Sequence, residues 1–179
     1  MCARVRPARW IAAAAFAAAL AGCTTIAQQD ALSTSQRYAH ALNARDYDTM
    51  IALTDPEVLA RSENGEELRR LFPQIFGSGS PHVTEHIRDI SPGFSDSHGM
   101  HFFVSTSRDS QASDGKAMLM QNYYIVTSRD LGKTWTIVDL SCVDERWIRA
   151  IAPGWNGYPA PPPQSVKRYS VNTRLLPSP

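Results

Sequence analysis

The chain has 179 residues and a mass of 19.8 kDa, which suits one domain of ordinary size and excludes a large multidomain enzyme or a long repeat array. Its 18 Lys and Arg and 17 Asp and Glu give a formal net charge of +1. This balance argues against binding by phosphate neutralisation, so no nucleic-acid partner is expected. Hydrophobic residues make up 43% of the chain, enough for a packed core, which excludes global disorder.

The N-terminus has the organisation of a signal peptide. Arg4, Arg6 and Arg9 precede an unbroken apolar run over residues 10–20, and no acidic residue interrupts either part. A helix of those 11 residues would rise only about 16 Å, well short of the roughly 30 Å hydrocarbon core of a bilayer. The run is therefore interpreted as the apolar core of a leader and not as a membrane-spanning helix.

The apolar run ends in Leu20-Ala21-Gly22-Cys23. Here the chain resembles bacterial lipoprotein precursors, whose lipobox places small residues before an obligatory cysteine. The resemblance implies that the Cys23 thiol receives a diacylglyceryl group, that cleavage occurs between Gly22 and Cys23, and that the new amino group is open to acylation, for example with palmitate. The alternative is an ordinary secretory leader in which Cys23 is incidental.

The lipoprotein resemblance also implies a location. Thr24 follows Cys23, so the chain lacks the aspartate that retains enterobacterial lipoproteins in the inner membrane. We therefore expect a protein of the bacterial cell envelope, lipid-anchored in the outer membrane and facing the periplasm. Its expected membrane partner is reached through that anchor, and no cofactor other than the covalent lipid on Cys23 is expected. Cys142 is the one free thiol left, so no intramolecular disulfide is expected.

Composition divides the chain into four parts. They are a signal peptide at 1–22, a lipidated tether at 23–31, one domain at 32–153 and a proline-rich basic tail at 154–179. From Pro153 onward the chain holds seven of its 12 prolines, which is typical of an extended or disordered tail.

Two helices are predicted first. Ser33 and Gln36 have the spacing of a capping box, and apolar residues recur at helical intervals over residues 32–43. Asp46 is placed to cap a second, short helix that ends before Pro56.

Residues 58–61 are left open between helix and strand, and Asn64-Gly65 indicates a turn. A third helix is predicted over residues 66–76 from its apolar face, with Pro73 expected to kink or end it.

The following segments have the composition of strands. Val, Ile, Phe, Tyr and Thr are enriched in four of them, namely residues 82–90, 100–107, 117–128 and 134–141. Their short connections predict antiparallel neighbours. Both faces are partly apolar, so helices should cover one face and a pocket, a partner subunit or the tail should cover the other. A short helix capped by Asp144 is predicted to follow.

The domain resembles the NTF2-like or SnoaL-like superfamily. The similarity lies in residues 38–53, which match its opening helices, and in residues 64–68, which match the turn before its third helix. It implies an α+β fold in which N-terminal helices pack on a curved antiparallel sheet of about four strands, with a central cavity and frequent dimerisation through the sheet. Isomerases and dehydratases of the superfamily usually keep an Asp/His or Asp/Tyr pair in the cone, but we assign no catalytic residue here.

Residues 128–135 fit the pattern S-x-D-x-G-x-T-W and so resemble the Asp-box of sialidases. We interpret it as a structural turn. The Asp130 carboxylate should accept N–H groups of the turn, Gly132 should take a positive φ, and Trp135 should pack beneath. A sialidase propeller needs several such repeats, so the single match predicts a hairpin and no sialidase.

Four histidines cluster in the sequence, namely His82, His86, His98 and His101. Antiparallel pairing could gather some of them into a Zn²⁺ or Cu²⁺ site, although solvated or hydrogen-bonded histidines are the simpler interpretation. The sequence therefore favours a non-catalytic binding or accessory role in the envelope, with a protein partner or a homodimer through the sheet. The alternatives are a small cone-pocket enzyme of isomerase, dehydratase or hydrolase type, and a periplasmic metal binder.

Overall fold

The computed structural model describes residues 8–76, 82–111, 116–141 and 146–170. Within these ranges the side chains of residues 8–25, 82, 111, 116–117 and 168–170 are left out of the description, which includes the side chain of Cys23. Cys2, Cys142 and Asp144 lie outside the described residues. The fold is α+β, as predicted, with helices packed on an open antiparallel sheet.

Five α-helices are present in the described ranges. They are α1 (Ala8–Ala44), α2 (Tyr47–Leu53), α3 (Pro56–Arg61), α4 (Glu66–Phe76) and α5 (Arg146–Ile151), with a 3-10 turn at Glu63–Gly65. Asp46 caps α2 as predicted, because its side chain accepts the N–H of Thr49 at 3.1 Å. Residues 58–61, for which the sequence left helix and strand as alternatives, are helical. Asp55 caps that helix by accepting the N–H of Glu57 at 2.9 Å.

Helix α1 differs from its prediction in length. It runs without interruption through the segment assigned to a tether, residues 23–31, and Ala27 and Ala31 are 6% and 0% exposed within the hydrophobic core. The small, polar composition of that segment suggested a linker. Packing of its two alanines against the core gives the segment a reason to stay helical that composition does not reveal.

Helix α4 spans the predicted residues and buries Leu68, Phe72 and Phe76 of its apolar face in the core, whereas Ile75 of that face is 40% exposed. Pro73 lies inside this helix and does not end it. Its ring is exposed, so the helix presents Pro73 to solvent and keeps its packed face intact.

The sheet has six strands but is four strands wide. The strands are β1 (His82–Ile90), β2 (Phe94–Asp96), β3 (Gly99–Gln111), β4 (Lys116–Ser128), β5 (Thr136–Asp139) and β6 (Ser165–Ser170). The main order is β1-β3-β4-β5, while β2 pairs with β3 beyond the end of β1, and β6 pairs with β4 beyond the end of β5. Two strands were not predicted, the short β2 and the tail strand β6.

The C-terminal segment covers part of the sheet face that lies opposite the helices. Tyr124 contacts Tyr38 of α1 on the helix side, with ring centroids 5.3 Å apart. Its neighbour Tyr123 contacts Phe103 on the other side, and Trp155 packs edge-on against Phe103 at 6.0 Å. The sequence left open whether a pocket, a partner subunit or the tail covers this face. Around Phe103 the cover is the tail.

Candidate functional site

Strand register gathers a set of polar side chains on the helix-facing side of the sheet. Glu85 of β1 lies directly opposite Arg108 of β3, and Tyr124 of β4 lies opposite Asp139 of β5. The side chains of Arg108, Glu85 and Asp139 are 5%, 0% and 3% exposed. We call these four residues together with Asn122 the Arg108 network.

The guanidinium of Arg108 is held by residues of β1, of β5 and of the segment just after β5. Its Nε donates to Glu85 Oε2, its Nη2 donates to Asp139 Oδ2 at 3.0 Å, and its Nη1 donates to Ser141 Oγ at 2.8 Å. The Tyr124 hydroxyl donates to the second oxygen of Glu85 at 2.9 Å. These bonds satisfy the buried charged groups from within the fold.

Other contacts enclose the network. The Arg108 guanidinium carbon lies 5.2 Å from the centroid of the Phe76 ring, within the range of a cation–π interaction. Asn122 donates to Asp139 Oδ1 at 2.9 Å and accepts from Gln164 at 2.6 Å. A residue at the end of α4 and another just before β6 therefore help to close the two sides of the site.

The end of helix α1 is fastened to the same part of the sheet. The side-chain amide of Asn43 donates to the backbone carbonyl of Glu85 at 3.1 Å and accepts the backbone N–H of Glu85 at 2.6 Å. This paired contact fixes α1 relative to β1 and so places the helix over the Arg108 network.

The electrostatics favour fixed protonation states. Burial lowers the pKa of Arg108, but the nearby Asp139 and Glu85 outweigh it and hold the pKa well above its usual value. Burial and the same two carboxyl groups raise the pKa of the Tyr124 hydroxyl well above its usual value. Arg108 therefore stays charged and Tyr124 stays a neutral donor, an arrangement that suits a structural ion pair better than proton transfer.

Sequence reasoning did not identify this network. The sequence contains one indication of the network. Arg108 continues the alternation of Phe102, Val104 and Thr106, whose side chains all face the helices. That alternation predicts an inward Arg108 only once the extra length of β3 is known, and its partner Glu85 lies 23 residues away in the chain.

The four predicted histidines are not brought together as a set. His101 is fully buried, whereas the His86 side chain is 47% exposed and lies 3.9 Å from Asp109. His98 is exposed in the loop before β3, and His82 belongs to β1 with its side chain outside the description. Among the described residues, no group of three His, Cys, Asp or Glu side chains is placed to hold a metal ion.

His101 instead links strands through both ring nitrogens. Its Nε2 lies 3.1 Å from Asp96 Oδ1 and its Nδ1 lies 3.0 Å from Thr127 Oγ1. Burial lowers the pKa of His101, and Asp96 offsets this only in part. We therefore assign a neutral ring whose Nε2–H donates to the carboxylate and whose Nδ1 accepts from the threonine.

Asp96 extends this contact to the C-terminal segment. It accepts the backbone N–H of His98 at 2.7 Å and that of Gly154 at 2.9 Å. Burial raises the pKa of Asp96, but the hydrogen bonds from His101, His98 and Gly154 outweigh it, so the pKa lies below its usual value. The Asp96 carboxylate therefore ties the short β2 to the segment that covers the outer face.

The residues of the Asp-box pattern form a compact turn between β4 and β5. Asp130 Oδ1 accepts from the Thr134 N–H and from Ser128 Oγ, each at 2.9 Å. Gly132 has a φ of +87° and Trp135, 8% exposed, donates its ring N–H to the Gly132 carbonyl at 3.2 Å. The hydrogen bonds to Asp130, first that from the Thr134 N–H, lower the pKa of this carboxyl to about 2.

A groove of about 440 Å³ is lined mainly by residues of the outer sheet face. Its hydrogen-bonding side chains include Arg88, which lies where the register of β1 and β3 shifts, and whose Nε donates to Ser107 Oγ at 2.6 Å. Pro162 and Pro163 form one wall. The open shape and the polar side chains of this groove can admit a small polar ligand, and Asn122 of the Arg108 network is also among its lining residues.

Cys23, the residue that the resemblance to lipoprotein precursors marks for lipidation, lies within the backbone of α1. Within the ranges that the structure describes, none of the helices combines the length and apolarity needed to cross a membrane. The chain matches no protein-family model, no curated protein and no solved structure.

Proposed function

We propose that this protein is a lipid-anchored lipoprotein of the bacterial envelope, facing the periplasm, whose NTF2-like domain has a binding or accessory role and no catalytic one. The anchor is the lipidated Cys23, and the expected location is the outer membrane. The proposal combines the lipobox of the leader with the chemistry of the domain interior.

The observation that carries the non-catalytic role is the closure of the Arg108 network. An enzyme with its active site in the central cavity of this fold needs a carboxyl group, a tyrosine or a histidine that a substrate can reach. The Glu85 side chain is instead 0% exposed and hydrogen-bonded to Arg108 and Tyr124. Each polar group in the network already has a partner inside the fold. The interior therefore supports stability, and the outer groove is the place where a small polar ligand would bind.

The anchor is tested by mass spectrometry of the protein expressed in a bacterium that processes lipoproteins. We expect a mature chain that begins at Cys23 and carries diacylglyceryl and acyl groups. The Cys23→Ser variant is the matched control and should carry no lipid and leave the membrane fraction. An N-terminus elsewhere or an unmodified Cys23 would contradict the envelope proposal. Separating inner from outer membranes then tests the location.

A cone-pocket enzyme is the second candidate, because the Glu85 carboxyl lies beside a tyrosine hydroxyl at 2.9 Å. Accessibility separates the two proposals. We expect a water-soluble carbodiimide with an amine nucleophile to label exposed carboxyl groups such as Glu67 on the folded protein and to leave Glu85 unmodified. Rapid labelling of Glu85 under native conditions would show that a reagent reaches the interior and would favour the enzyme.

A further inference from the structure

We propose that helix α1 holds the domain directly against the bilayer surface, with Ile26 in the membrane interface, and that no flexible spacer separates the domain from its lipid anchor. This inference rests on the proposed lipidation of Cys23. It assigns a lipid surface as the partner of the anchor end of α1.

Helix α1 is rigidly part of the domain. Ala27 and Ala31 pack within the hydrophobic core, and Tyr38 further along the same helix contacts Tyr124 of the sheet. Asn43 then fastens the helix end to the backbone of Glu85. The position of residue 27 therefore fixes the distance from the anchor to the domain.

Only a short distance remains between Cys23 and the first residue of α1 that is packed in the core. Cys23 and Ala27 lie four positions apart in a continuous helix, a rise of about 6 Å. Even if these residues unwound completely, they would span at most about 14 Å. A tether over the whole of residues 23–31 would instead span up to about 30 Å, so the burial of Ala27 removes most of the reach that composition suggested.

The surface of α1 next to the anchor changes from apolar to polar within one turn. Ile26 is 61% exposed, one of the few large hydrophobic side chains of the described residues that lie open to solvent. Gln29 and Asp30, which follow it in the helix, are also exposed and polar. An apolar side chain three residues from the lipidated cysteine, followed by polar ones, suits a helix that enters the interface at Ile26 and leaves it within one turn.

The consequence is a restricted reach. Acyl chains on Cys23 would bring Ile26 to the depth of the headgroups, and the domain would follow as a rigid body. Any partner of this protein would then have to lie at the membrane surface, and the domain could not extend across the periplasm.

The depth of residue 26 is measurable by electron paramagnetic resonance on the lipidated, full mature protein. A nitroxide is attached to the Ile26→Cys variant that also carries Cys142→Ser, and the protein is placed in vesicles of phosphatidylethanolamine and phosphatidylglycerol. We expect the label to collide more with apolar oxygen than with a water-soluble nickel chelate. The matched control inserts about 12 Gly and Ser residues between Thr25 and residue 26, a spacer of about 20 Å on average, and should return the label to water.

Mass spectrometry of the same samples separates the two levels of the proposal. Absence of acyl groups from Cys23 would overturn the proposed function itself. Acylated protein in which the label at residue 26 is as accessible to the nickel chelate as in the control would overturn only the inference about α1. Circular dichroism of each variant confirms that the labelled protein has the helix and sheet content of the parent.

Discussion

Replacing Arg108 by methionine tests the central feature of the domain interior. Methionine keeps an apolar stem near Phe76 but removes the three hydrogen bonds that the guanidinium donates to Glu85, Asp139 and Ser141. The buried carboxyl groups of Glu85 and Asp139 are then left without the cation that both of them contact. Asp139 keeps the amide of Asn122 and the N–H of Ser141 as donors, whereas the Glu85 carboxyl keeps the Tyr124 hydroxyl.

The expected cost follows from the burial of both carboxyl groups. Removing one partner of a buried ion pair destabilises a protein by about 3–5 kcal/mol, because the remaining charge is uncompensated. This is a large part of the roughly 5–15 kcal/mol that separates a native domain from its unfolded chain. Glu85→Gln in the same chain should recover part of the loss, since glutamine still accepts from Tyr124 and carries no charge. Arg88→Met, at an exposed position, should cost less than about 1 kcal/mol.

Urea unfolding is measured for the parent, for the Arg108→Met and Glu85→Gln variants and for the variant with both substitutions. The free energies of unfolding then give the coupling energy between Arg108 and Glu85. The explanation fails if Arg108→Met lies within about 1 kcal/mol of the parent. It also fails if the changes in unfolding free energy caused by Arg108→Met and Glu85→Gln simply add, because additivity would mean that the two side chains do not interact.

Four further outcomes follow from the structure. Gly132→Ala should destabilise the protein by about 1 kcal/mol or more, because φ is +87° there, and the urea midpoint measures it. The pKa of His101 is below its unfolded value of 6.5, so the unfolded chain binds the proton more readily and stability should fall as pH drops below about 6.5; His101→Gln should flatten that dependence in urea titrations. The pKa of Asp130 is about 2 against 3.8, so its contribution should be lost between those pH values and Asp130→Asn should remove that part of the acid dependence of the thermal midpoint. Trp155→Ala should uncover Phe103 and increase binding of an apolar dye, and unchanged dye fluorescence would contradict the covering role.

Local patterns were sufficient for the parts of the fold that short-range forces stabilise. The Asp46 cap, the apolar face of α4 and the strand-like segments β1, β3, β4 and β5 were all predicted from residues close together in the chain. A cap needs only a side chain and the next turn of backbone, and an amphipathic period needs only a few turns. These elements therefore follow from the sequence without knowledge of their partners.

The other features depend on contacts between distant residues, which no local pattern records. Residues 23–31 have the composition of a linker, but Ala27 and Ala31 pack in the core and the segment is helical. The segment of β6 has the composition of a proline-rich tail, but it forms a strand because it pairs with β4. The sequence by itself determined the helices and strands that have strong local patterns, and it contains the cysteine motif on which the anchor proposal rests. Only the tertiary structure decided that Glu85 lies opposite Arg108, 23 residues further along the chain, because the register of their two strands depends on packing across the whole sheet.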